Sequence, residues 1–545
     1  MKVQPITQQN QKLQQQTNFK GAVDTTLRYL ATNQAVGANL VDFSFMVTPR
    51  TLNDGIKRGP AAGMETGRRE IMGTVNDSCV GLFGAAAGAM IAGSLSKKYD
   101  TKVNKMFTAP ETLHILAENK SSQIKDKKSQ VEYIKETLKN AKGYNPTAVN
   151  ADADGYVKLS DKTIEKVAKY YDELLNNKAD FNKWTSSKSD KSRTVLMNEI
   201  IADTGAGSDY ILESADKKIK SKTNLKSLLN DIFIVSDSFN GDKVKNAFEE
   251  QIKSGKAVKE NSFIKGLDKF MRTRAGMGFA ASCAIGLSVQ PINMYLTKLK
   301  TGQDGFVGVE GRSKDNSAGF FGLKTISSAA FFSMILSTLN MNPLKFTPKK
   351  FMDKMSFSGK MPTINQLKGL YGITIISRIF SARDKDELRE VLTKDTLGYL
   401  SWLVLGDFVN RMAASGFDSD KCKVLNIKKG TETKNYFKKM FYANLKTRDE
   451  ILVQTLADQG ISTTKNEGDK VIAKTFKEML KDLNGLKDEA LKKATNKRLR
   501  ALNIAQLSGY LFSGLVLGLG IPNLNIYITN KLDAKRKAEA AKQQA

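Results

Sequence analysis

Histidine is nearly absent: His114 is the only one in 545 residues. One imidazole builds neither a histidine-dependent triad nor a multi-histidine metal site. His114 sits in TAPETLHILAENK on an amphipathic turn, where it reads as helix filler. Cysteine is almost as scarce. Cys79, Cys283 and Cys422 are odd in number and far apart, which argues against a disulfide framework and a zinc site and for reduced thiols. The first residues, MKVQPITQQNQKLQQQTNFKG, are polar and Gln-rich with no apolar core, so no cleaved secretory signal is expected. Arginine is under-used too. It supplies 17 of 85 basic residues, with Arg193 alone between Arg69 and Arg272. Arg presents a planar fork that Lys cannot mimic, so its clustering beside the apolar blocks hints at bidentate pairing there.

Acidic residues are outnumbered, leaving a net charge of +29 that favours anionic partners such as phospholipid headgroups or nucleic acid. Mean hydropathy is −0.35, ordinary for a water-soluble chain, but the average hides segregation. Four blocks carry no charge: Ser78–Ser96 (19 residues), Ala275–Thr297 (23), Thr325–Leu344 (20) and Ala501–Asn530 (30). A helix of about 20 apolar residues crosses a bilayer's hydrocarbon. Gly369–Ser377 and Thr396–Gly406 are too short to do so without an ion inside.

Two of the long blocks are related. Gly286–Thr297 matches Gly518–Thr529 at a constant offset of 232, each with a Pro-containing break followed by Asn-x-Tyr-x-Thr. Gly84 with Gly88, and Gly514 with Gly518, form GxxxG pairs. Such pairs let helix backbones approach closely in lipid and offer a route to self-association. The breaks at Gln290-Pro291 and Pro522-Asn523 fall near the block ends, and read as punctuation where each helix stops. Repeat-built transporters place comparable breaks beside their substrates.

The expected fold is an all-α, multi-helix bundle with about four membrane-spanning helices and two Lys-rich helical polar inserts. Its parts are a disordered tail (1–20), N-terminal helices with the first span (21–96), a Lys-rich insert (97–271), an apolar helical core (272–413), a second insert (414–500), the last span (501–532) and a charged tail (533–545). The inserts carry apolar residues at three-four spacing, with no β alternation of useful length. A four-span reading with both termini inside puts both inserts outside. Lysines flank the spans on either side, so charge leaves the orientation open.

Three constellations are candidates for chemistry. Residues 48–73 interleave Gly59, Gly63 and Gly67 with Arg50, Arg58, Arg68 and Arg69 and with acidic side chains. The stretch is neither a P-loop nor a dinucleotide turn; it reads as a tight, Arg-lined helix entry able to grip a phosphate or lipid headgroup. Second, Asn150, Asp152, Asp154, Gly155, Tyr156 and Asp161 resemble an EF-hand or dockerin-type loop, which implies Ca2+. Asn150 at the first position, Lys158 at the ninth and Asp161 at the twelfth depart from that pattern, and an Asx-rich turn is the plainer reading. Third, Asp407 and Arg411 lie one helical turn apart in apolar surroundings, as does Arg378; charges there must be paired or solvated, and the three could form an intramembrane polar cluster.

These features favour an integral membrane scaffold or transporter-like protein with anionic lipid as a partner. One alternative is a soluble structural protein, such as a phage or virion component, that buries its Gly/Ala-rich helices in self-assembly. Another is a surface enzyme or anion site built on residues 48–73. Nucleic acid is disfavoured, because the lysines alternate with acids and no recognition motif occurs.

Overall fold

A computed structural model describes residues 23–31, 40, 42–177, 181, 184, 191–207, 209–307, 309, 312–356, 363–403, 405–417, 424–427, 435–468 and 470–544. The Gln-rich tail and Cys422 lie outside the described residues. The described residues are predominantly helical, 75% helix in 19 helices, and the chain divides into two units.

Unit 1 takes Gly93–Asp268 and Asn410–Gln506 together with the N-terminal residues through Gln34. Its first stretch contains α3 (Pro110–Lys125), α4 (Gln130–Lys139), α5 (Asp161–Asn176), α6 (Lys191–Thr204), α7 (Leu225–Ser238) and α8 (Asp242–Lys253). Amphipathic spacing places Leu113, Tyr133, Ile134, Tyr171, Phe233 and Phe248 in a dry core. Here the reading of 97–271 as purely helical needs correction. β1 (Ala141–Tyr144), β2 (Tyr156–Lys158), β3 (Tyr210–Glu213) and β4 (Lys220–Thr223) form an antiparallel sheet in the order β2-β1-β3-β4. Strands of three or four residues are too short for alternation to declare them.

The second stretch adds β5 (Leu425–Ile427), α15 (Tyr436–Tyr442), β6 (Ala443–Leu445), α16 (Arg448–Asp458), β7 (Thr464–Glu467), β8 (Lys470–Ala473) and α17 (Phe476–Asn484). Capping boxes start α4, α16 and α17. α6 packs on α16 and on β8. The Gly207 N–H donates to Glu450 Oε1 at 2.6 Å, and a Cβ at Gly207 would lie 2.3 Å from Glu450 Cγ. The two polar stretches, distant in sequence, thus complete one unit.

Unit 2 takes Ala35–Ala92, Lys269–Val409 and Leu507–Ala545. It contains α1 (Thr48–Arg58), α10 (Ala318–Thr338), α11 (Pro348–Lys354), α12 (Ile364–Ser381), α13 (Lys385–Leu403) and α19 (Ile521–Gln544). The chain passes between the units inside α2 (Pro60–Tyr99), α9 (Ser262–Thr301), α14 (Gly406–Phe417) and α18 (Glu489–Phe512). Gly59, at φ +93°, turns α1 into α2, and Gly55 lets Gly63 approach backbone to backbone. Gly84 does the same for Gly278 on α9. A π-turn, Ser513–Gly520, joins α18 to α19, and both Gly514 and Gly518 press against Phe45. Both GxxxG pairs are therefore used in packing within unit 2.

Four helical stretches are long and apolar enough to cross a membrane: Pro60–Tyr99, Ser262–Thr301, Ala318–Thr338 and Glu489–Gln543. The third ends at Thr338, six residues before its uncharged block does. Between 28% and 39% of each apolar window is buried, so Leu82, Met90, Leu299, Ile326 and Leu515 point outward uncovered.

The prolines do not end their helices. α9 continues through Pro291 to Thr301, and the last helix continues through Pro522 to Gln544. Proline lacks the N–H that would satisfy the preceding turn, and each freed carbonyl is met from a neighbouring helix. The Ser377 hydroxyl donates to Leu287 O, four residues before Pro291, at 2.7 Å. In the π-turn the Ile521 N–H reaches Val516 O, so Pro522 leaves Leu517 O free, and Arg50 Nε donates to it at 3.1 Å. Donors supplied by packing are what let a proline stay inside a helix.

Candidate functional site

Two helical hairpins, α1–α2 and α12–α13, bring the arginines of unit 2 inward. Glu70 on α2 receives Arg50 Nη1 at 3.3 Å and Arg69 Nη2 at 3.2 Å, with Arg378 at 3.7 Å and Lys394 at 3.6 Å. Arg378 also donates to Asp395 at 3.1 Å. Arg383 bridges two carboxylates, reaching Glu387 at 2.9 and 2.8 Å and Glu65 at 2.6 Å. Arg58 forks onto both oxygens of Glu390. Burial opposes the Arg383 charge, but Glu387 and Glu65 more than offset it and hold its pKa above the ordinary arginine value. Planar forks suit such pairing, and each buried ion would otherwise cost several kcal/mol.

Both Asn-x-Tyr-x-Thr repeats are tied into this seam by side-chain hydrogen bonds, from positions that do not correspond. Arg68 donates to Asn293 Oδ1 at 2.8 Å and Thr297 Oγ1 at 2.7 Å, while Asn293 donates to Glu65 O at 2.8 Å. In the second copy Arg389 donates to Thr529, and Asn525 donates to Glu390 O at 3.3 Å. In both copies Asn and Thr are buried while the tyrosine faces outward, Tyr295 61% exposed and Tyr527 64%.

A second repeat becomes visible once the contacts are known. Ile56, Arg58, Ala62, Arg69 and Glu70 recur as Ile376, Arg378, Ala382, Arg389 and Glu390, at an offset of 320. The ion pairs are reciprocal: Arg58 of the first half binds Glu390 of the second, and Arg378 of the second binds Glu70 of the first. Such an exchange of equivalent partners is the signature of a two-fold relation.

Beside the Arg58–Glu390 pair lies a cavity of about 40 Å³, with Asp54, Arg58, Glu65, Arg69, Glu390 and Lys394 among its walls. That volume accommodates a few waters. Arg58 Nε is buried without a partner. Among the described residues the Lys394 ammonium makes no hydrogen bond; its carboxylate neighbour, Glu70, is the 3.6 Å contact.

The four arginines singled out in 48–73 all enter this seam, each engaged by groups of the protein itself. Arg378 joins them through Glu70 and Asp395. Arg411 lies in unit 1, where it donates to the carbonyls of Met440 and Phe441 at 3.0 and 2.7 Å. The side chain of Asp407 lies outside the described residues. In the 150–161 loop a strand, β1, leads in, and Asp152 Oδ1 accepts the N–H groups of Asp154 and Tyr156 at 3.1 and 2.9 Å. Asp152 Oδ2 accepts from Lys142 at 3.2 Å, and Tyr156 O accepts the Asp152 N–H at 2.8 Å. Among the described residues no three His, Cys, Asp or Glu side chains gather as a metal site requires. The residues that sequence reading passed over are Lys394 and Asp395. The available signal was a densely charged helix set between two apolar blocks.

Comparison with protein-family models, curated proteins and solved structures finds no match to this chain.

Proposed function

We propose that this is an integral membrane protein of transporter-like build, two related helical halves meeting at an ionic seam. One observation carries the reading: the helices of unit 2 turn arginines and glutamates inward and leave long apolar faces uncovered. Hydrocarbon is the surrounding that rewards that arrangement. The chain order supports it, because four spans place both polar inserts on one side, and both belong to unit 1. The outward tyrosines of the two repeats suit the headgroup level. Lys298, Lys300 and Lys531 follow them and suit anionic phospholipid. Membranes from expressing cells, washed with alkaline carbonate, provide the test. Retention of the protein in the pellet is expected. Recovery as a monodisperse, detergent-free monomer overturns the reading, and a detergent-free assembly of defined size replaces it with the self-associating alternative. Calcium binding by the 150–161 loop is a separate proposal, supported by its Asp and Asn spacing. A Ca2+-dependent rise in melting temperature that Asp152→Ala abolishes would support it, and no rise in the wild type ends it.

A further inference from the structure

The two halves of the seam differ at many positions, and one of those differences borders the cavity. At the offset of 320, Lys394 and Asp395 of the second half correspond to Thr74 and Val75 of the first. Thr74 is engaged with Asp42 and with Glu70 O, so the first half has no cation at that position. Lys394 reaches the cavity, whereas its counterpart is an ordinary hydroxyl with partners. An ammonium that borders a water-sized cavity without a hydrogen bond is poorly explained as structural glue. Arg58 and Arg383, by contrast, meet their carboxylates through close forks.

We propose that this cavity is a proton site, in which water carries protons to and from Lys394; the inference rests on the transporter-like reading. Around Lys394 and its cavity stand Arg50, Asp54 and Arg58 on α1, Glu65, Arg69 and Glu70 on α2, and Glu387, Glu390 and Asp395 on its own helix. Arg378 on α12 ties Glu70 to Asp395. The guanidinium groups keep their protons throughout, so lysine is the cation here able to let one go. In the step itself the ammonium passes H+ to a cavity water. The nitrogen keeps the electron pair as a neutral amine, and the water, in accepting that proton, releases one of its own to a carboxylate oxygen of Glu65 or Glu390 on the cavity wall. Reversal reprotonates the amine. The cavity is too small for an organic solute, whereas a proton relayed between water, an amine and carboxylates fits it.

Two measurements test this. Full-length protein in vesicles of phosphatidylcholine and phosphatidylglycerol, with a trapped pH dye and a potassium-driven potential, should acidify faster than protein-free vesicles. Lys394→Met and Lys394→Arg, the latter permanently charged, should both fall to the protein-free rate while retaining the wild-type melting and elution. Variants that conduct like the wild type overturn the proposal. So does a wild type that resists carbonate yet conducts no faster than empty vesicles. If carbonate removes the protein, the membrane reading fails by itself, and the second measurement decides about Lys394. The ε-carbon resonance of labelled lysine that disappears in Lys394→Arg should titrate below the solvated lysines. Titration together with them overturns the proton site.

Discussion

Unit 1 and unit 2 are built inside out with respect to one another. Unit 1 buries Tyr133, Tyr171, Trp184, Phe233, Phe239 and Phe248 and, Lys120 apart, leaves the described lysines at least partly in solvent, as water demands. Unit 2 buries Arg50, Arg378, Arg383, Glu65, Glu70 and Asp395 and turns leucine, isoleucine and methionine outward. The lesson concerns what holds each together. Aromatic burial can close unit 1, because moving those rings out of water is favourable. Where apolar surface faces outward, the cohesion has to come from close backbone contact, as at Gly84 and Gly278, and from charge-assisted hydrogen bonds.

This contrast is breakable. The largest expected effect is in the seam: Arg383→Ala strands Glu65 and Glu387, and should lower the stability of unit 2 by about 3–5 kcal/mol in a detergent melt. In unit 1 the sensitive group is Asp231, which burial pushes up to about 8 although Thr108 donates to it at 2.9 Å. A raised carboxyl holds its proton in the fold when the unfolded chain has lost it. Its stabilising contribution is therefore complete below about pH 4 and is lost as pH rises through about 8. The slope approaches ~1.4 kcal/mol per pH unit. Melting of unit 1 should drop between pH 5 and 8, and Asp231→Asn should flatten that drop.

Crowding the α2–α9 crossing comes next. A Cβ at Gly278 would stand 2.7 Å from Gly84 Cα, so Gly278→Val should cost about 1–3 kcal/mol, visible as a lower melting temperature of unit 2 alone. Reversing one cross-half pair sharpens the two-fold relation. Arg58→Glu and Glu390→Arg should each destabilise, and the double variant should recover most of the loss in the same melt. At the small end, Lys465 reaches Glu478 at 2.5 Å on the surface of unit 1. Lys465→Ala should leave its melting unchanged.

The long apolar helices were legible because an uncharged run is visible whatever surrounds it, and the Asn-x-Tyr-x-Thr repeat because its residues are contiguous. The partner repeat was not. Arg58 and Glu70 are twelve residues apart, and only their contacts with Glu390 and Arg378 make that spacing meaningful. The partners of α13 were hidden too, since sequence does not say whether Glu387 meets water or Arg383. The prolines misled for a related reason: the donors that rescue their carbonyls, Ser377 and Arg50, come from helices far away in the chain. β1 and β4 hid behind Lys142, Lys220 and Lys222, which on short strands erase the alternation.

The joint ownership of unit 1 by two distant stretches imposes a schedule on synthesis. Strand β8 and the Glu450 carboxylate, which meet α6 and Gly207, leave the ribosome some 240–280 residues after their partners. At 5–20 residues per second that is a wait of roughly 10–60 s. Throughout it, the face of α6 that will receive them stays open, so a chaperone that shields this face until translation reaches β8 would govern the yield of native protein.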